Sequence, residues 1–296
     1  MQILGQEIEN MTQKKSETQI TGKAEITERS ERMENDSKKI LRAKQVTMAG
    51  IKLSQICFGT EHITQASPEF GGALLAEAKR IHGVNFWDTD NSYGSVAQVS
   101  LGFKMVRRDE VVISSKSYAE TADETRRDIK RTLAELGTDY IDMFLLHEVK
   151  AGNLKSLMPS LEVLKEAKSA GIIRGVGLST HSVQILGDAA ETDGIEFVCA
   201  PLNIEGSRIE EGTRDGMIKA MDKAHNKCGK GVYVIKTLGA GDYIYKLKEA
   251  LEWVAQFTNF VDVFNIGVAS LAEMRENMEI LSKHIPMDTG EAVSDL

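Results

Sequence analysis

The chain lacks the features that mark nucleic-acid-binding, membrane-spanning or disulfide-built proteins. Its 296 residues hold 36 Lys and Arg against 44 Asp and Glu, a formal charge of −8. No basic stripe stands out to neutralise phosphates, which argues against nucleic acid as a partner. No apolar run approaches the roughly 18 residues that a bilayer span requires. The opening MQILGQEIEN has neither the basic region nor the apolar stretch of a signal peptide. The three cysteines, Cys57, Cys199 and Cys228, are widely separated and form no CxxC pair. Reduced thiols and a cytoplasmic location are therefore expected. Aromatics are 6% of the chain and none precedes Phe58. Residues 1–45 mix both charge signs with little to bury, so a charged, disordered N-terminal extension is expected there. Residues 286–296 are read as a C-terminal tail.

What remains, residues 46–285, has the composition of a globular core, within a chain that is 42% hydrophobic and 27% charged. VTMAGIKLSQICFG reads as two short strands about a glycine-containing turn. Strand-length and helix-length patterns then alternate. EFGGALLAEAKRIHG is helical up to Gly83, and DETRRDIKRTLAELG shows one apolar face (Ile129, Leu133, Leu136) ending at Gly137. Strands are predicted to start near residues 54, 84, 111, 140, 173, 196, 232 and 262. Eight βα units over about 240 residues predict a closed (β/α)8 TIM barrel preceded by an N-terminal hairpin. The absence of a GxGxxG fingerprint after the first strand weakens the open dinucleotide-binding alternative.

In such a barrel the chemistry gathers where strands run out into the following helices. Those positions carry Thr60, Asp88, Lys116, His147, Ser179, Asn203 and Lys236, with Tyr93 in the loop after the second strand. Asp88, Lys116 and His147 end three successive strands and should converge on one rim. His147 has no ligand-spaced histidine or cysteine partner, so no metal is expected.

GVNFWDTDNSYG resembles the aspartate-to-tyrosine signature of the aldo-keto reductases, and the lysine of VVISSK and the histidine of YIDMFLLH fall where that family keeps its other two catalytic residues. The resemblance implies hydride transfer between NADP or NAD and a carbonyl or alcohol. Tyr93 would then be the general acid/base, Lys116 a cation lowering its pKa, Asp88 the partner of Lys116, and His147 a hydrogen-bond donor to the substrate oxygen. By the same resemblance Thr60, Ser179, Thr180, Asn203, Lys236, Leu238, Gly239 and Gly241 face the nicotinamide and pyrophosphate. Ser270, Glu273 and Asn277 face the adenosine. Thr180 stands in place of an asparagine and Cys199 in place of a glutamine. Glu273 stands where an arginine is common, which leaves the choice between NADP and NAD open. Glu61 and Glu148 replace aromatics at the substrate mouth, which points to a small polar substrate, an aldose, a hydroxyaldehyde or a cation. Two rival readings are a nicotinamide-binding redox sensor with little turnover and a non-redox barrel lyase or isomerase.

Overall fold

The structure is a computed structural model that describes residues 39–291. The opening hairpin forms as the pattern implies. Strands β2 (Gln45–Met48) and β3 (Ile51–Ser54) pair antiparallel, Met48 opposite Ile51. Ala49 and Gly50 make the turn with φ of 51° and 76°, the left-handed geometry that matches hairpin twist.

Eight strands follow: β4 (Ile56–Gly59), β5 (Phe86–Asp88), β6 (Val112–Ser117), β7 (Ile141–Leu146), β8 (Ile173–Ser179), β9 (Phe197–Pro201), β10 (Gly231–Ile235) and β11 (Val263–Gly267). They close into a parallel barrel in chain order, β11 pairing with β4. The helices between them are α1 (Pro68–His82), α2 (Val96–Met105), α3 (Ala122–Leu136), α4 (Met158–Ser169), α5 (Val183–Glu191), α6 (Arg214–Asp222), α7 (Leu247–Val254) and α8 (Leu271–Leu281). Their ends are chemically marked. Ser67 caps α1 ahead of Pro68, and Thr121 with Glu124 forms a capping box on α3. Gly83 and Gly137 stop the same two helices in left-handed conformations.

Helix α2 has no counterpart among the elements singled out by periodicity. VAQVSLGFKM carries two β-branched residues and a glycine, weak helix formers whose conformation is set by packing. Gly72 and Gly102 provide that packing: a Cβ on Gly72 would come 2.9 Å from the Gly102 nitrogen, and one on Gly102 3.1 Å from the Trp87 ring.

Lys39–Ala43 forms a further strand, β1, which pairs with β12 (Met287–Glu291) in a two-stranded ribbon. Regular structure thus begins inside the segment 1–45 expected to be disordered, and extends into the expected tail 286–296. The reason is that the backbone of β1 supplies partners that composition does not show: His82 Nδ1 meets the Leu41 carbonyl at 2.9 Å, and the Arg42 guanidinium donates to the carbonyls of Arg80 and Ile81. The rest of the expected extension, 1–38, lies outside the described residues. The compact body spans Leu41–Asp288; of the second unit, Met1–Ile40 with Thr289–Leu296, the described residues are the ends of β1 and β12.

Inside the barrel, Met48, Ile51 and Leu53 of the hairpin join Phe86, Met143, Phe197 and Tyr233 in one buried cluster. Glycines in β8 and β10 make room for it. A Cβ on Gly231 would lie 2.2 Å from Met48 Cγ, and one on Gly177 2.1 Å from the Phe197 ring. The hairpin thereby closes the amino-terminal end of the barrel and leaves the carboxyl-terminal end open for a site. Gly177→Ala is expected to destabilise the fold by about 1–3 kcal/mol through overpacking. Gly187→Ala, in α5 with open space around it, should instead stabilise it by about 0.5–1 kcal/mol. Equal midpoints for the two variants in urea denaturation would contradict this account of the barrel interior.

Candidate active site

Asp88 ends β5 and Lys116 lies one residue from the end of β6, so neighbouring strands deliver an acid and a base to the same rim. Lys116 Nζ is 2.8 Å from Asp88 Oδ1 and donates to the Thr89 carbonyl at 2.8 Å. Both side chains are almost wholly buried. Burial, the largest single effect, would depress the lysine pKa, but the surrounding groups, Asp88 first among them, together outweigh it and push the ammonium pKa up. Asp88 is itself held by Asn265, which donates to Oδ2 at 3.0 Å, and by the Tyr233 hydroxyl, 3.3 Å from Oδ1.

Tyr93 follows a tight turn in which its N–H donates to the Asp90 carbonyl at 3.1 Å. The Lys116 ammonium sits 4.8 Å from the centre of its ring. The sequence led us to expect a lowered phenol pKa; the structure shows the reverse. Burial dominates and raises it, and Lys116 offsets only part of the rise. Tyr93 is therefore a protonated phenol across the ordinary pH range. His147, the residue after β7, presents its ring edge-on to Tyr93 at 6.0 Å between centroids, and Tyr118 stacks on it at 4.2 Å. All four predicted catalytic residues are thus brought together.

Two cavities meet at Tyr93. The larger, about 390 Å³, runs from Asp88 and Tyr93 past Gly59 and Thr60, along Lys236–Leu238, to Glu273, Glu276 and Asn277 at the start of α8. The other, about 370 Å³, is lined by Tyr93, Lys116, Tyr118, His147, Glu148, Ser179 and His181. Glu61 and Lys236 border both, and their ion pair of 2.9 Å lies at the junction. Each cavity is of the size that takes a small ligand, on the order of 300–1,000 Å³.

The predicted cofactor residues divide on inspection. Thr60, Lys236, Leu238, Gly241, Glu273 and Asn277 line the large cleft. Ser179 lines the smaller cavity, its Oγ accepting the Glu148 N–H at 2.8 Å and its own hydrogen left to donate. Thr180 and Asn203 are fully buried and committed elsewhere. Thr180 donates to the Val149 carbonyl and accepts from Ser182 N, while Asn203 holds its own loop through Ser207 and the Lys236 carbonyl. Ser270 caps α8 by accepting the Glu273 N–H. The amides of Gly239 and Gly241 donate within their own turn, to Lys236 and Leu238. Those glycines are needed for φ of 63° and 100° and, at Gly239, for the Tyr243 ring that a Cβ would meet at 2.5 Å. Cys199 is buried inside the barrel with its thiol pKa pushed up to about 12 by burial and the Asp88 charge.

Sequence reasoning missed Asn265, Tyr233, Tyr118 and Glu276. The first two carried a signal: a polar residue inside each of the apolar strands VFNIG and VYVI. Gly59 is the counterpart of Asn265, since a Cβ there would lie 2.4 Å from its Oδ1. Among the described residues, no group of three or more His, Cys, Asp or Glu is arranged to hold a metal ion. Asp88→Asn should leave the buried Lys116 ammonium without a counter-charge and cost about 3–5 kcal/mol of stability. Adding Lys116→Met should recover part of that loss in denaturant titrations. No recovery would mean that the orphaned charge is not the source of the cost.

A model of the aldo/keto reductase family matches residues 55–246. The chain is 30% identical over 154 residues to a D-galacturonate reductase of Fragaria ananassa, covering 44% of this chain and 48% of that one. It is 26% identical over 174 residues to a D/L-glyceraldehyde reductase of Hypocrea jecorina, covering 49% and 51%, and 29% identical over 115 residues to a methylglyoxal reductase of Salmonella typhi, covering 38% and 43%. The chain thus spans about half the length of the curated relatives it matches. Among solved structures, a putative aldo-keto reductase from Pseudomona aeruginosa superposes with a TM-score of 0.67 at 24% identity, covering 82% of this chain and 94% of that one. An aldo-keto reductase from Bacillus halodurans in its holo form gives 0.66 at 16% identity, covering 81% and 91%. At these identities the structural likeness carries the fold. The family model, however, takes in every barrel strand from β4 to β10, and the chain belongs to the aldo/keto reductase family.

Proposed function

We propose that the chain is a nicotinamide-dependent carbonyl reductase acting on small polar aldehydes in the cytoplasm, with Tyr93 as its general acid and NADH as its preferred reductant. The observation that carries this reading is the position of Tyr93 at the junction of two cavities. The larger cleft suits a dinucleotide by its polar lining. It carries Thr60, Asp88, Lys236 and Asn265 towards Tyr93, and the carboxylates of Glu273 and Glu276 with the Asn277 amide along α8. A bound nicotinamide would supply the hydride. The chain's own residues do the rest.

His147, held between Tyr118 and Tyr93, orients the carbonyl oxygen. Tyr93 is kept as a phenol by burial, so the proton that the nascent alkoxide requires is present before the reaction begins. As that proton leaves, the phenolate forms beside the Lys116 ammonium, which stabilises it without reorganisation. Asp88 keeps Lys116 charged and aimed. The Glu61–Lys236 pair closes the side of the junction that faces solvent.

Cofactor preference follows from charge. Glu273 and Glu276 line the far end of the cleft, and Arg275 is not among its lining residues. Lys236 is committed to Glu61. A 2′-phosphate there meets two carboxylates, whereas a ribose diol can donate to them, as in other NAD sites. The substrate side carries Glu148, Ser179, His181 and Tyr118, a polar lining suited to hydroxylated carbonyls. Relatives named for reduction of galacturonate, glyceraldehyde and methylglyoxal support the same class. Cys57 and Cys199, buried thiols with raised pKa values, support a reducing compartment.

NADH should quench the protein's tryptophan fluorescence with a Kd at least tenfold below that of NADPH, and Glu273→Gln with Glu276→Gln should narrow the gap. Tyr93→Phe should lower kcat for glyceraldehyde or methylglyoxal reduction by about 10²–10⁴ with the Kd for NADH unchanged. Binding of neither nucleotide at millimolar concentration would overturn the proposal, and tight binding without turnover would favour a redox sensor.

A further inference from the structure

The catalytic rim holds a second buried carboxylate that the tetrad does not use. Asp90, two residues after Asp88, is 1% exposed, and the His147 ring it faces is 8% exposed. His147 Nδ1 lies 3.1 Å from Asp90 Oδ2. The contact is close but off the line of a full hydrogen bond, and neither atom has another hydrogen-bond partner. Both therefore depend on each other, because a buried ionic or polar atom without a partner is costly.

Charge balance singles out the same pair. Asp88 is matched by Lys116 at 2.8 Å, Glu61 by Lys236 at 2.9 Å and Glu148 by Lys150 at 3.6 Å. Asp90 has no lysine or arginine in an ion pair among the described residues; its partner is His147. The remaining titratable groups on the same cavity, Tyr93, Tyr118 and His181, bring no fixed charge near neutral pH. Tyr118 is pushed up to about 12 by burial and Glu148, and burial lowers His181 below the usual histidine range.

Geometry fixes both members. The other Asp90 oxygen accepts the Ser92 N–H at 2.6 Å and the Ser92 hydroxyl, and the Asp90 carbonyl accepts the Tyr93 N–H. The turn that carries the phenol thus carries the carboxylate. The His147 ring is stacked by Tyr118 and met edge-on by Tyr93, so rotation away from Asp90 would break both contacts.

We propose that Asp90 is a positioning residue for His147: its carboxylate keeps the proton on Nδ1, holds the ring against rotation and turns Nε2 towards the substrate oxygen. The carboxylate itself stays ionised: burial, the largest single effect, works against it, but His147, Lys116 and the Ser92 hydroxyl together prevail and its pKa lies below the usual range. The role of the substrate oxygen rests on the reductase reading above; the pairing of Asp90 with His147 does not.

Two measurements decide this. In long-range 15N–1H spectra of the full chain, with His147 assigned by comparison with His147→Gln, Nδ1 should carry a proton in the wild type, and that proton should be lost or shared with Nε2 in Asp90→Asn. In kinetics with NADH and methylglyoxal, kcat should fall about tenfold in Asp90→Asn with KM for NADH unchanged, and Asp90→Glu should restore part of the loss. An Nε2–H tautomer with bare Nδ1 in the wild-type chain, or the same Nδ1 protonation in wild type and Asp90→Asn, would overturn the proposal. Should Asp90→Asn fail to fold, the wild-type tautomer still decides. Should the wild type turn over no carbonyl, the reductase reading fails while the spectra continue to test the pairing.

Discussion

A single buried ion pair constrains most of this barrel. Lys116 carries its ammonium into a region from which water is excluded, where an unpaired charge would be prohibitive. The requirement spreads outward in steps. Lys116 on β6 needs Asp88 on β5 and the Thr89 carbonyl; Asp88 needs Tyr233 on β10 and Asn265 on β11; Asn265 needs a glycine at position 59 on β4. Five of the eight barrel strands are thereby tied to one charge. The pair also explains why the two ends of the barrel differ. The amino-terminal end is filled with Met48, Phe197 and Phe86, and could not host a charge; the carboxyl-terminal end can hold one because Asn265, Tyr233 and the Thr89 carbonyl surround the pair.

The state of Tyr93 follows from that arrangement. An exposed phenol beside a lysine would titrate low and spend part of its time as phenolate. Here burial outweighs the cation, and the proton stays on. On the reductase reading proposed above, such a phenol would begin the reaction as a proton donor, and Lys116 would act on the product side of proton transfer, by stabilising the anion as it forms.

Periodicity made the barrel legible because its helices are amphipathic and its strands short and apolar, with glycines at 83 and 137 marking ends. It missed α2, whose helical state depends on the Gly72–Gly102 approach, and β1, whose pairing partner is more than two hundred residues away. Asp88, Lys116 and His147 were legible because they sit at strand ends, and Tyr93 because it stands five residues after Asp88 in the loop that follows. Resemblance assigns Thr180, Asn203 and Ser270 to the cofactor, and in the structure these side chains hold backbone groups of the loops around the rim or cap a helix. No pattern in a single chain tells whether a hydroxyl or amide faces a cleft or its own loop. Asn265 and Tyr233 show the converse, since a polar residue in the middle of an apolar strand is visible in sequence but its partner is not.

The substrate mouth shows how counting charges along a chain misleads. In sequence, Glu61 and Glu148 suggested an entrance open to cations as well as to hydroxylated compounds, and the structure adds the buried carboxylate of Asp90 nearby. Each of these carboxylates has a partner, Lys236, Lys150 and His147 in turn. Glu148 shares Lys150 with Glu210, which lies closer to the lysine at 2.8 Å, but pairing at Glu61 and Asp90 still weakens the field that would draw in a cation. What remains is a cavity of hydroxyls, an imidazole and paired carboxylates that can exchange hydrogen bonds with a neutral polyol or hydroxyaldehyde. A cationic substrate would have to displace a lysine from its carboxylate. A hydroxylated aldehyde need only replace water.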